Sequence, residues 1–111
     1  MPNEGPLTDN PYYRIYSIVF SWDAPKAVAN LKKHNVSFEE ASTVFDDPEA
    51  LDWEDLEHSE LEFRLKRLGL SAAGRILVVV WSPRRSHEGK EIIRIISARR
   101  ASQRERNAYT G

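Results

Sequence analysis

The first apolar stretch, Tyr12–Phe20, is rich in β-branched and aromatic residues and predicts a strand ending at Ser21-Trp22-Asp23. The period then changes. Ala24, Ala27, Val28 and Leu31 recur at i, i+3, i+4 and i+7, one apolar face of an amphipathic helix. Asp23 is placed to cap its N-terminus, Pro25 costs no hydrogen bond in a first turn, and Asn35 suits the left-handed stop. Ser37-Phe38-Glu39-Glu40 reads as a capping box opening a second helix. Phe38, Ala41, Val44 and Phe45 form its apolar side, and Asp46-Asp47-Pro48 ends it, because a residue before proline avoids helical angles.

Residues 49–61 are acidic and weakly patterned, with a short strand expected near Leu51–Trp53 and then a loop. Phe63 and Leu65 alternate with Arg64 and Lys66 up to Gly69, predicting a further strand. The Ser71–Gly74 turn leads to a strand at Arg75–Trp81, and the Pro83–Gly89 loop leads to one at Ile92–Ser97. Ile76–Trp81 is apolar on both faces, as a central strand would be. Ser102-Gln103-Arg104-Glu105 is another capping box, opening a short C-terminal helix. Residues 1–11 hold three of the six prolines and read as a poorly ordered leader, leaving 12–111 as a single domain. The expected fold class is α+β: a compact antiparallel sheet with two N-terminal helices packed on it and a short C-terminal helix.

A chain of 111 residues supports one core. Its 41% hydrophobic and 30% charged residues exclude collagen-like and disordered classes. With no cysteine, disulfides, thiolate zinc sites and a cysteine nucleophile are excluded. The longest apolar run, Ile76–Trp81, is far short of a membrane span, and the N-terminus has no signal-peptide pattern, so a cytoplasmic location is expected. Charge changes the picture more. Residues 1–63 carry 4 basic and 14 acidic side chains, whereas residues 64–111 carry 12 basic and 3 acidic. The basic half could meet phosphates and the acidic half a basic partner, or each half could simply solvate itself.

The densest chemistry lies at Ile96–Tyr109. Arg99 and Arg100 stand at the strand-to-helix junction, and Glu105 and Tyr109 share a helical face at i, i+4. Guanidinium forks match phosphate oxygens, and a carboxylate and a phenol can move protons, so the group suits a metal-free ribonuclease. It equally suits a solvated helix laced by Arg–Glu pairs. Among the histidines, His34 sits where a helix dipole favours a cation, and His87 falls in a polar turn. His58 lies in an acidic loop and could act as an acid or base. Asp46, Asp47, Asp52, Asp55 and Glu57 match neither a calcium loop nor a two-metal nuclease spacing, so no metal and no cofactor is expected. Trp22, Phe38, Phe45 and Phe63 read as core, while Trp53 and Trp81 are more open to stacking on unpaired bases.

Several segments together resemble the BrnT toxins. These are Phe20-Ser21-Trp22-Asp23, Lys26-Ala27, Asn30-Leu31-Lys32-Lys33-His34, Val36–Ala41, Val44–Pro48, His58-Ser59, Gly69-Leu70-Ser71, Leu77–Val80 and Arg94–Ala101. The resemblance runs from about Phe20 to Tyr109 and implies a RelE-like fold. It also implies the toxin half of a bacterial type II toxin–antitoxin pair, a ribonuclease that arrests translation. The implied partner is a BrnA-like ribbon-helix-helix antitoxin, which would contact DNA and form a hetero-oligomer with the toxin. Departures from the family pattern are Trp81, where a histidine or small polar residue is frequent, Leu65-Lys66-Arg67 in place of a more apolar segment, Asn35 for glycine, a longer Ser82–Glu91 hairpin, and the leader.

Laid on the matching positions, the chemistry assigns Arg99 and Arg100 to the scissile phosphate in one cationic pocket, with Arg64 in support. His58, Glu105 or Tyr109 would carry protons. Lys66, Arg67, Arg94, Arg104 and Arg106 would bind the RNA backbone, without a metal. The alternative, motivated by Trp81 and the hairpin, is an inactive module that only binds its antitoxin and modulates operon repression.

Overall fold

The chain builds one six-stranded sheet, with a hairpin at its start where a single strand was expected. The computed structural model describes residues 12–15, 18–59 and 62–111, so the expected leader lies outside the described residues. The elements are β1 (Tyr12–Ile15), β2 (Ile18–Ser21), α1 (Ala24–His34), α2 (Phe38–Ser42) running into a 3₁₀ turn at Thr43–Asp46, β3 (Leu51–Glu54), β4 (Leu65–Leu70), β5 (Ile76–Arg85), β6 (Glu91–Arg100) and α3 (Gln103–Thr110). The sheet order is β1-β2-β6-β5-β4-β3.

The α+β expectation holds, with three corrections. The single strand expected over Tyr12–Phe20 is an antiparallel hairpin, with Tyr12 opposite Ser21 and Ile15 opposite Ile18. Folding back pairs the segment's backbone groups within itself and leaves only β2 to meet β6. That junction is parallel, with Phe20 opposite Ile93 and Ser21 opposite Arg94, because β2 and β6 are joined through the rest of the domain rather than by a turn. The loop expected from Pro83 is strand as far as Arg85.

The α1 caps form as expected. Asp23 accepts from the Lys26 amide, and Asn35 adopts a left-handed φ of 57° while its N–H donates to the Leu31 carbonyl. Asn35 thus supplies the geometry that glycine usually provides. The apolar face of α1 does not form as expected: Val28 and Leu31 are exposed, and the buried residue is Asn30. The reason is where the helix lies. β2 pairs with β6 only at Phe20 and Ser21, so the β6 edge beyond them needs other partners. Asn30 supplies them, donating to the Ala98 carbonyl (2.8 Å) and accepting from the Ala98 amide (3.1 Å). Its amide also donates to the Val36 carbonyl at 3.0 Å. One side chain replaces a strand, and satisfying these buried backbone groups outweighs the apolar periodicity.

Ser37 caps α2 as expected, but Glu40 does not close the box. Its carboxylate instead pairs with Arg75 and accepts from Ser71 Oγ at 2.7 Å. The C-terminal capping box is complete, with Ser102 and Glu105 serving each other's backbone amides.

The main core lies between the sheet and α1–α2. Phe20, Trp22, Val36, Phe38, Ala41 and Val44 meet Leu77, Val79, Ile95 and Ala98 there. Fully buried Phe20, Phe38 and Leu77 each contribute about 1.5–3 kcal/mol. On the opposite side, Leu68, Val78 and Ala101 form a smaller cluster joined by Ile76 and by Tyr109 of α3. Ion pairs cross between the two halves of opposite charge: Arg67–Asp52, Arg75–Glu40 and Arg84–Glu62. Part of the charge polarity of the sequence is therefore neutralised inside the fold.

Candidate functional site

Strand alternation sorts the candidate residues. In β5, Leu77 and Val79 enter the main core while Val78 and Val80 line a cavity of about 400 Å³ on the other side. In β6, Val78 is opposite Arg99 and Val80 opposite Ser97, and both partners line that cavity. Between Val80 and Trp81 the register slips, leaving Ile96 as an extra residue that also lines it. β4 contributes Lys66, opposite Val80, and the residue before β4 is Arg64. The remaining polar walls are His34 at the end of α1, and Asp55 and His58 from the loop after β3. Imidazoles, a carboxylate and three cations thus converge from four places in the chain.

His58 is held rather than loose. Its Nδ1 lies 3.1 Å from Asp55 Oδ2 and 3.3 Å from Oδ1. Asp55 is 3% exposed, whereas the His58 side chain is 58% exposed. The loop is pinned around them. The Asp55 amide donates to the Arg64 carbonyl (2.9 Å), the His58 amide to the Asp55 carbonyl (3.2 Å), and Ser59 Oγ to the Asp55 carbonyl (2.8 Å). With Nδ1–H donating to the carboxylate, Nε2 is the free ring nitrogen. Arg64 stands 3.5 Å from Glu62, and its Nε is buried without a partner among the described residues.

The expected pocket of adjacent guanidiniums does not form. Arg99 lines the cavity, but Arg100 is opposite Leu77 and stands on the other side of the strand, as neighbouring strand residues must. Arg99 is also engaged: its guanidinium meets Glu105 through two hydrogen bonds of 2.8 Å. That contact draws the Glu105 carboxyl down to about 2 and holds Arg99 above its ordinary value. Tyr109 donates to Asp47 at 2.7 Å, and this bond pushes its phenol up to about 12. Neither Glu105 nor Tyr109 lines the cavity: the first is held by Arg99 and the second by Asp47.

Among the backbone-binding candidates only Lys66 reaches the cavity. Arg67 is forked onto Asp52 (3.0 and 2.9 Å) and covers the Phe45 ring at 4.6 Å. Arg94 contacts Ser21 Oγ at 3.4 Å, and Arg106 donates to the Ala101 carbonyl at 2.8 Å. Arg104 is exposed on α3. Sequence reasoning did not place His34, Asp55 or Ser97 in the site. The i, i+3 spacing of Asp55 and His58 was the available signal for the second. Asp55, Glu57 and His58 hold ligand-type atoms within 4.8 Å of one another, so they are the group among the described residues that could receive a metal ion.

Fold and cleft define a class: a small α+β domain with α1 and α2 over one sheet face and, on the other, α3 and an imidazole-lined cationic cleft. Comparison with known proteins narrows it. The family described as the ribonuclease toxin, BrnT, of type II toxin–antitoxin systems matches residues 22–105, which include every polar wall of the cleft. The chain belongs to this family of ribonuclease toxins. It is similar to the Brucella abortus ribonuclease toxin BrnT, solved at 1.1 Å, with 27% identity and a TM-score of 0.54, over 74% of this chain and 94% of that one. No curated protein matches the chain. Among the described residues, no helix is long and apolar enough to cross a membrane.

Proposed function

We propose that the chain is a metal-independent endoribonuclease that arrests translation, and that the cleft between β4, β6, the Asp55–His58 loop and the end of α1 is its active site. The observation that carries this is the meeting of a carboxylate-oriented imidazole with Arg64, Lys66 and Arg99 in one cavity. In the reaction, the ribose 2′-oxygen attacks phosphorus and the P–O5′ bond breaks, leaving a 2′,3′-cyclic phosphate and a 5′-hydroxyl. His58 Nε2 takes the 2′-hydroxyl proton, and the adjacent Asp55 carboxylate stabilises the imidazolium that forms. His34, the second imidazole on the wall, delivers a proton to the departing O5′. Arg64 and Lys66 offset the charge gathering on the phosphoryl oxygens. Arg99 joins them by exchanging one carboxylate oxygen of Glu105 for a phosphate oxygen.

The partner in this reading is a ribbon-helix-helix antitoxin of the BrnA type, held in a hetero-oligomer. Trp81, which motivated the inactive alternative, does not touch the cleft: it packs edge-on against Phe45 at 5.2 Å between centroids. The test is cleavage of single-stranded RNA in excess chelator, with growth and translation followed on expression without antitoxin. The protein should cut, leave cyclic phosphate ends and slow growth. His58→Gln should lower kcat by roughly 10²–10⁴-fold. Activity abolished by chelator and restored by a divalent ion would overturn the metal-free route, and full activity in His58→Gln would remove the imidazole from it.

A further inference from the structure

Of the three tryptophans, two are used up by the fold. Trp22 is 9% exposed and meets Phe38 edge-on at 5.9 Å, and Trp81 meets Phe45. Trp53 is different. It lies on β3, the terminal strand of the sheet, 40% exposed, with no ring contact among the described residues. Its partner directly across the strand pair is Lys66, so the indole and the Lys66 side chain stand on the same sheet face, about 5 Å apart at their Cβ atoms. Lys66 is a wall of the cleft. The indole therefore stands beside a wall of the cleft.

The surroundings suit a nucleic acid strand. Phe63, next to Arg64, is 49% exposed, so aromatic and cationic side chains interleave along this rim. The acidic residues of β3 do not oppose it. Asp52 alternates to the other face, where Arg67 neutralises it, and Glu54 shares that alternation opposite Leu65. An aromatic surface bordered by a cation, with the anions of its own strand turned away, takes a planar base attached to a phosphate better than it takes an acidic or purely apolar protein surface.

We propose that Trp53 is a stacking platform for an unpaired nucleobase adjacent to the linkage held at Lys66 and Arg64, which makes β3 a substrate subsite. The proposal rests on the ribonuclease reading above, and it explains why a large apolar side chain stays exposed on an edge strand. Because every base has a π-face, the subsite selects for single strands over duplexes rather than for sequence.

The test uses the intact toxin and a single-stranded 2′-O-methyl RNA oligonucleotide, which cannot form the cyclic phosphate and so reports binding alone. Trp53→Ala should weaken binding roughly 5- to 100-fold while leaving the salt dependence unchanged. Trp53→Phe should bind within about threefold of the parent, since the ring is kept. Lys66→Ala should instead reduce the slope of log affinity against log salt by about 0.7. Oligonucleotides carrying one abasic nucleotide, moved along the strand, should include one position at which Trp53→Ala makes no further difference. Parent-like binding by Trp53→Ala, while Lys66→Ala weakens it, overturns the subsite and leaves the ribonuclease reading intact. The subsite is equally overturned if Trp53→Ala loses only antitoxin affinity, which would make the rim a protein-docking surface. Absence of binding to any RNA by the parent chain would remove both.

Discussion

Asn30 offers the sharpest test of how the fold builds its site. Asn30→Ala removes three hydrogen bonds and leaves the N–H and C=O of Ala98 and the C=O of Val36 without that partner, in a setting where Asn30 is 8% exposed and Ala98 1%. A buried polar backbone group left unpaired costs about 1–3 kcal/mol. Water can reach part of the vacated space, so two uncompensated groups give an expected loss of about 2–6 kcal/mol. For a domain of this length, that lowers Tm by roughly 8–25 °C. Asn30→Leu separates the causes: it restores the volume but not the bonds, so it should cost as much as alanine. Thermal unfolding gives the magnitude, and amide exchange gives the place, since the Ala98 amide should lose protection ahead of its neighbours in β6. His34 lies one turn further along α1, so cleavage should fall as well. A loss below about 1 kcal/mol, at the bottom of the range for one unpaired group, or an Ala98 amide as protected as in the parent, would refute the idea that this side chain substitutes for a strand.

Other perturbations probe the remaining supports. Glu105→Gln removes the charge that holds Arg99; at neutral pH the cost should be about 1 kcal/mol, as the pair is partly exposed. Because folding lowers the Glu105 pKa from 4.5 to about 2, the parent's advantage should be complete above pH 4.5 and fade as pH falls towards 2, which denaturation curves across that window would show. Tyr109 has the opposite sign: its phenol is raised from 10 to about 12, so the stability it confers is present below pH 10 and lost as pH rises to 12. Phenolate absorbance should show a phase near pH 12 that disappears in Tyr109→Phe. Gly69→Ala would place a Cβ 3.2 Å from the Ala50 and Val44 Cβ atoms and 3.3 Å from Asp47 Oδ2, and should destabilise by about 1–2 kcal/mol in the same unfolding assay.

What the sequence determined by itself is what depends on neighbours within one turn or hairpin. The caps at Asp23, Asn35 and Ser102, the apolar centre of β5 and the Ser71–Gly74 turn are local, and local chemistry decided them. The family was legible too, because its motifs occur in order along the chain. The cleft was only partly legible. His58, Arg64 and Arg99 stood out as residues, but their company depended on which face each took. A strand sends consecutive side chains to opposite sides, so Arg99 and Arg100 were separated, while Lys66 and Trp53, distant in sequence, were brought together. Glu40 left its capping box for Arg75, and Asn30 left no periodic signal at all. The needs that placed these residues, an unpaired strand edge and a half-buried charge seeking its opposite, exist only once the sheet is assembled.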